Sequence, residues 1–374
     1  MRVLITGSNG FLGKNLQADL VERQDFDVRC FTRGHEIAQL PDLLKDVKFI
    51  VHFAGVNRPL DSSEFIADNI DLTKALCNAV CDYATVTGEK VPILFASSSQ
   101  AQNESQYGQS KLAAENILQA VNLSHGIPVH IFRLPNVFGK WCKPNYNSVV
   151  ATFCYNIAHD LPIDVHDPTA LLTLVYIDDV ISYFVKLVKG VVEPDEYAID
   201  VPQYTLTIGE LARQIQAFKS GRDTLMVERV GMGFIRALYA TYVSYLPLES
   251  FSYSLQSHTD DRGIFAEVLK TPDSGQVSFF TAHPGVIRGG HYHHSKCEKF
   301  LVVRGQARFR FYHLLTGQTH ELITVGDRLE IVDTIPGWAH DITNIGKEEM
   351  LVMLWANEVF DHLQPDTFTY KLGK

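Results

Sequence analysis

Tyr107 and Lys111 stand four residues apart in QYGQSK, shortly after the serine run FASSSQ at 95–100. On a helix, positions i and i+4 share one face, so the lysine ammonium can sit beside the phenol. Its charge favours the phenolate and lowers the tyrosine pKa, which suits a group that gives its proton to a carbonyl oxygen while hydride reaches the carbon. A serine hydroxyl would complete the polarisation of that oxygen. Ser98 is the serine in register, with Ser97 and Ser99 as alternatives.

A hydride needs a donor, and the chain opens on one candidate site. TGSNGFLGKNL follows the first apolar run, with Gly7, Gly10 and Gly13 spaced as GxxGxxG. The glycines allow a tight turn, close approach of backbone N–H groups to a pyrophosphate, and packing of helix on strand. Gly7, Asn9, Gly10, Phe11, Leu12 and Gly13 are therefore candidate dinucleotide-binding residues. Ala54 and Gly55 in HFAGVNRP, and Lys111, are placed on the same cofactor. The second strand runs into CFTRGHE, where Arg33 stands near the position of the usual acid. A guanidinium suits a 2′-phosphate through paired charge-assisted bonds, so NADPH is the expected cofactor.

A second centre lies far downstream, in HYHHSKCEK and PGWAHDITN. His291 and His293 would face one side of a strand by alternation, and Glu298 and His340 would join them from neighbouring strands. Three histidines and a carboxylate suit a divalent metal with an open position, Zn²⁺ first, with Ni, Fe and Mn left open. His294 points the other way on that register.

These residues need two kinds of scaffold. Apolar runs at 2–6, 28–32, 48–53, 91–97 and 128–134 alternate with helical patterns at 13–23, 64–86 and 107–123. That order predicts an α/β Rossmann-type parallel sheet over residues 1–245. Beyond residue 250, short strands alternate with turn residues, and nine of the fifteen histidines fall between His258 and His362. An all-β barrel or sandwich is expected for 250–374. Asn69 opens NIDLTKAL either as a helix N-cap or, by its resemblance to an asparagine of short-chain dehydrogenases/reductases, as a structural residue.

With a formal charge of -10 and no long basic run, nucleic acid and anionic membranes are not expected partners. No apolar stretch is long enough to span a membrane, and six cysteines without a CxxC pair fit the reducing cytoplasm.

The glycine turn, the serine-ended strand, Tyr107 and Lys111, with RLPNVFGKW and LVYIDDV, resemble the extended short-chain dehydrogenase/reductase family over roughly residues 1–245. The resemblance makes Tyr107 the catalytic acid/base and Lys111 its partner, and puts Asn136, Lys140 and Lys143 where such enzymes meet sugar and diphosphate. Only eight residues separate Ser98 from Tyr107, a shorter loop than extended members carry. Gly285, His291, His293, Glu298 and Gly305 are similar in spacing to the first cupin motif, and Gly337, His340 and Asn344 to the second. DDRGIFAEV, QVSFF and GVIRGGHYH also resemble dTDP-4-dehydrorhamnose 3,5-epimerase, which implies His291 as the base beside a 4-keto group and Arg262 as a diphosphate ligand. Binding of a metal by His291 would exclude that base role.

End to end, the chain resembles bacterial capsular-polysaccharide enzymes that join a reductase to a cupin. That resemblance implies a homodimer acting on UDP-2-acetamido-2,6-dideoxy-L-hexos-4-ulose, epimerised at C3 by the cupin and reduced at C4 with NADPH. The product would be UDP-2-acetamido-2,6-dideoxy-L-talose, for N-acetyl-L-fucosamine of capsule or O-antigen. The alternative is a reductase alone, with a cupin that only stabilises or dimerises.

Overall fold

Residues 1–59, 61–193, 197–363 and 365–373 are described by a computed structural model. They fall into two units, Met1–Ile215 with Ala237–Pro247, and Gln216–Arg236 with Leu248–Lys374. The sequence suggests a contiguous division at 245/250, whereas in space residues 216–236 group with the second unit. Backbone bonds explain the grouping: Val227 N–H donates to Lys270 O and Lys270 N–H to Leu225 O, both at 2.8 Å. Arg229 also pairs with Asp273 at 2.8 Å.

In the first unit, β1 (Arg2–Thr6), β2 (Asp27–Phe31), β3 (Phe49–His52), β4 (Ile93–Ser98) and β5 (Val129–Leu134) form a parallel sheet ordered β2-β1-β3-β4-β5. β3 and β4 are buried along their whole length, as parallel strands covered on both faces are. The covering helices include α1 (Phe11–Glu22), α2 (Leu40–Leu44), α3 (Leu72–Thr87) and α4 (Gln106–His125). One core packs Leu4, Ile50, Ile93 and Phe95 against Leu76, Val80 and Leu118. Truncating one of these leucines to alanine costs about 2–5 kcal/mol in comparable cores. A smaller sheet joins β6 (Asn136–Phe138), β7 (Leu171–Tyr176) and β8 (Gln203–Thr207), with α5 (Val149–Ala158), α6 (Ile177–Val188), α7 (Ile208–Thr224) and α8 (Gly233–Val243) in the same stretch of chain.

Because β2 and β3 lie on opposite sides of β1, the winding reverses between β1 and β3. At such a switch point the loops at the carboxyl ends of the strands part and leave a ligand crevice.

The second unit is antiparallel throughout its two sheets, in agreement with the all-β expectation and with a cupin barrel. One sheet is ordered β16-β13-β18-β11-β10-β9 and the other β15-β14-β17-β12-β19. These strands are β9 (Ser257–Asp260), β10 (Gly263–Lys270), β11 (Gln276–Ala282), β12 (Ile287–Tyr292), β13 (Glu298–Arg304) and β14 (Gln306–His313). The set is completed by β15 (Thr319–Val325), β16 (Ile331–Thr334), β17 (Trp338–Asn344), β18 (Met350–Ala356) and β19 (Phe368–Thr369). Phe280, Phe300 and Val352 of the first sheet close on Phe309, Phe311 and Ile342 of the second to form the core.

Candidate active site and metal centre

The turn after β1 builds the first wall. Gly7 has φ +66°, and a Cβ there would lie 2.6 Å from the Ala54 nitrogen, so the ends of β1 and β3 meet only because residue 7 is glycine. α1 starts at Phe11 behind Gly10, with no side-chain cap and no acid in its first turn. Its first intrahelical bond is from Lys14 N–H to Gly10 O at 2.9 Å. Gly10 N–H is turned back to Gly7 O at 2.9 Å, which leaves the N–H groups of Phe11, Leu12 and Gly13 and the positive end of the helix dipole for an anion. Gly7, Asn9, Gly10, Phe11, Leu12 and Gly13 line a cavity of about 1340 Å³ together with Arg33, Gly55, Ser98, Tyr107 and Lys111. Ala54 contributes from behind, backing Gly7 and donating its N–H to Thr6 Oγ1 at 3.2 Å. Arg33 is exposed at this cavity and bonds Asp68 at 3.1 Å.

The three candidate serines all line this cavity but differ in their partners. Ser97 donates to Glu115 Oε1 at 2.5 Å, and Glu115 is held in turn by Arg133 at 2.6 Å. Ser98 instead accepts Gln100 N–H at 3.2 Å and lines the cavity beside Tyr107, whose pKa it lowers, and Ser99 is exposed. The short connection closes through a 3-10 turn at Ser99–Gln102 and the N-cap Ser105, whose Oγ accepts Gly108 N–H at 3.0 Å. A Cβ on Gly108 would sit 2.2 Å from Gln100 O, so the residue after Tyr107 must be glycine for this loop to fit.

The electrostatics differ from the sequence expectation in one respect. Burial raises the Tyr107 pKa, with Ser98 opposing it, and Lys111 does not lower it. Lys111 Nζ donates to Ala96 O at 2.7 Å and lies 4.2 Å over the Phe95 ring. A phenol that keeps its proton is the form a carbonyl reduction requires. Lys111 itself is pushed down to about 8 by burial, against the influence of Glu115.

Asn69 is not an N-cap. It lies inside a π-helical turn, Phe65–Asp71, that leads into α3. Its side chain accepts Val56 N–H at 2.7 Å and donates to Val56 O at 2.9 Å and Ser110 Oγ at 2.8 Å. Behind it, buried His52 contacts Thr6 Oγ1 at 2.6 Å and Thr73 Oγ1 at 2.9 Å. Burial, with the Lys111 charge, holds its pKa near about 3. This neutral network ties the β3 loop to the Tyr107 helix and had no motif to announce it.

At the far end of the cavity the structure brings Asn136 and Lys143 to the lining. It does not bring Lys140, whose ammonium is paired with Asp178 at 2.5 Å and whose carbonyl accepts from Asn15. Trp141, Tyr146 and Tyr245 line the cavity as well. The aromatic residues within KWCKPNY were the available signal for the first two.

In the second unit, His291, His293, Glu298 and His340 place one ligand atom each within 4.8 Å of one another. Strand alternation is only part of the cause. A bulge at Gly289 and Gly290, both at positive φ, sets His291 opposite His340 of β17. His293 lies just beyond the end of β12, and Glu298 begins β13 in the other sheet. Glu298 Oε2 faces His293 Nε2 at 3.2 Å and His340 Nε2 at 3.4 Å. Burial alone would raise the Glu298 pKa, but those two rings and Lys296 hold it far below the carboxylate range. Burial and the neighbouring His340 lower His291 to about 4, leaving it neutral.

The donor set fits a divalent cation. His293 Nδ1 bonds the Asp366 carbonyl at 2.5 Å, which can only accept, so in a neutral ring the Nε2 lone pair faces a carboxylate. A cation held between the two groups would satisfy both. Among the described residues, neither ring nitrogen of buried His340 has a hydrogen-bond partner, Nε2 only facing Glu298 at 3.4 Å. Arg262 is outside the cluster, its guanidinium bonded to Asp260 at 2.5 Å. Arg288 lies within electrostatic reach of Arg262 and donates to Thr281 O at 3.0 Å.

Residues 3–200, more than half of the chain, match the NAD dependent epimerase/dehydratase family. The chain belongs to that family. Residues 258–368 match the polysaccharide biosynthesis C-terminal domain. The UDP-2-acetamido-2,6-beta-L-arabino-hexul-4-ose reductase of Pseudomonas aeruginosa is 54% identical over 374 residues, covering 100% of both chains. The crystal structure of the capsular polysaccharide assembling protein CapF from Staphylococcus aureus is 40% identical, with a TM-score of 0.89 and 100% of both chains covered. The spore coat polysaccharide biosynthesis protein SpsL of Bacillus subtilis is 28% identical over 123 residues, 30% of this chain and 81% of that protein. These relatives support an oxidoreductase of polysaccharide biosynthesis, and the family supports a nicotinamide cofactor. Among the described residues no helix is long and apolar enough to cross a membrane.

Proposed function

We propose that this chain reduces a 4-keto UDP-sugar with NADPH and that its second unit prepares the substrate by epimerisation at C3. The observation that carries the reading is the convergence of Ser98, Tyr107 and Lys111 on the cavity lined by the glycine turn. Gly10, Phe11, Leu12 and Gly13 would hold the pyrophosphate, and Arg33 the 2′-phosphate after exchanging its Asp68 partner. Bound NADPH supplies the hydride. Ser98 and Tyr107 bond the ketone oxygen, and Tyr107 delivers its proton as negative charge develops there. Asn136 and Lys143 would take the sugar and diphosphate.

His291, His293, Glu298 and His340 would hold a divalent metal, zinc first, that supplies Lewis acidity toward a carbonyl oxygen. Metal ligation commits the His291 lone pair, so the free-base role implied by the epimerase resemblance is set aside. The substrate taken here is UDP-2-acetamido-2,6-dideoxy-L-hexos-4-ulose, the product UDP-2-acetamido-2,6-dideoxy-L-talose. A cytoplasmic homodimer is the proposed state of the enzyme.

Proton NMR of the keto-sugar in D₂O without NADPH tests both halves. The signal beside the ketone is lost with the wild type and with Tyr107→Phe, while Tyr107→Phe abolishes NADPH oxidation. Undiminished NADPH oxidation by Tyr107→Phe would remove the tyrosine from the mechanism. Persisting exchange in His291→Ala would leave the second unit a structural role.

A further inference from the structure

The ligands His293 and Glu298 are joined by a four-residue loop, and that loop is held by one residue seventy positions away. Asp366 Oδ1 accepts His294 N–H at 2.9 Å. Its Oδ2 accepts Ser295 N–H at 2.7 Å, Lys296 N–H at 2.8 Å and the Ser295 hydroxyl at 2.9 Å. Its carbonyl accepts His293 Nδ1–H at 2.5 Å, which sets the tautomer and the angle of that imidazole. A carboxylate that gathers three successive backbone N–H groups defines the path of the loop far better than any single bond. The same residue therefore orients one ligand and fixes the chain that leads to the next.

The segment after Asp366 continues the contact. Thr369 and Phe368 pair with His291 and Tyr292 as β19 on the edge of β12. Tyr370 N–H donates to Gly290 O at 2.8 Å, at the bulge that turns His291 toward His340. Phe368 stacks on Tyr292 at 5.3 Å and meets His294 at 4.9 Å. Residues 366–370 thus touch the backbone on both sides of two ligands without supplying one.

We infer that Asp366 is the positioning residue of the metal centre and that the 366–370 strap and the bound metal order one another. This rests on the metal reading of His291, His293, Glu298 and His340. Partners of metal-bound histidines set ring orientation, and losing one costs about 10–100-fold in metal affinity. Coupling of this kind is reciprocal, so metal tightens the strap as much as the strap tightens metal.

The test uses the full-length protein, stripped of metal with a chelator and titrated with Zn²⁺ against a chromophoric competitor. Asp366→Ala keeps the main-chain carbonyl on His293 but loses the carboxylate that fixes 294–296 and, through them, that carbonyl's position, so it should bind zinc about tenfold more weakly than wild type, and Asp366→Asn, which keeps one acceptor oxygen, should fall between them. Asp361→Asn, at an exposed aspartate of the same C-terminal segment, serves as the control and stays within about twofold. With Co²⁺ in place of zinc, Asp366→Ala should alter the visible d–d bands, a change that a remote packing defect would not produce. Zinc should also slow amide hydrogen exchange at 294–296 and at Tyr370 in the wild type. Wild-type zinc affinity in both Asp366 variants, or exchange at Tyr370 indifferent to zinc, overturns the inference and leaves the metal reading standing. Failure of the wild type itself to take up zinc overturns both.

Discussion

Replacing Lys111 by methionine should change how stability depends on pH, and the size of the change follows from the site. In the folded chain the Lys111 ammonium is buried with the Ala96 carbonyl and the Phe95 ring for company. Burial brings its pKa from 10.5 down to about 8. Between those values the unfolded chain binds the proton and the folded one does not. Wild-type stability therefore rises with pH across that window, and Lys111→Met, with no group to titrate, does not share the gain. From pH 7 to pH 10 the linkage amounts to about 2–3 kcal/mol in favour of the wild type. Urea unfolding of both proteins at the two pH values measures it, because every other titrating group cancels in the double difference. Two stability-versus-pH lines that stay parallel to within about 0.5 kcal/mol would refute the reasoning. They would mean that the ammonium is hydrated in solution and that the site is more open than its packing indicates.

Three further outcomes follow from the same geometry. Ser98→Ala should lower kcat about 100- to 1000-fold through loss of a bond to the ketone oxygen. Ser97→Ala should leave turnover intact and cost stability, since its partner is Glu115; steady-state NADPH oxidation that ranks the two in reverse would move the role to Ser97. Arg33→Ala should raise the KM for NADPH about tenfold or more and spare NADH, a contrast that fluorescence titration of both dinucleotides reads directly. Asn69→Ala removes the two bonds to Val56 and the one to Ser110, and calorimetry should show a loss of about 2–4 kcal/mol. An unchanged melting temperature would take Asn69 out of the scaffold.

Much of this was legible in the residues because local chemistry demands particular types at particular places. A turn that brings β1 onto β3 tolerates only glycine at position 7, a phenol and its lysine must share a helix face, and parallel strands buried on both sides must be continuously apolar. Those rules act within a few residues of chain, so Gly7, Tyr107 with Lys111, and the strand order of elements could be read in one dimension. The histidine cluster was visible for the same reason, through the spacing of His291, His293 and Glu298.

What tertiary structure alone decided are the relations that depend on contacts distant along the chain. Ser97 and Ser98 differ only in which way their side chains leave β4, and Glu115, fixed by Arg133 from β5, settles which one is engaged elsewhere. Lys140 looked like a substrate cation until Asp178 was found against it. The sign of the Tyr107 shift came from burial, which spacing does not encode. Asp366 meets His293 across more than seventy residues. Sequence specifies which groups are present and their local pitch; packing sets which charges are desolvated and which donor finds which acceptor, and those are properties of the folded chain.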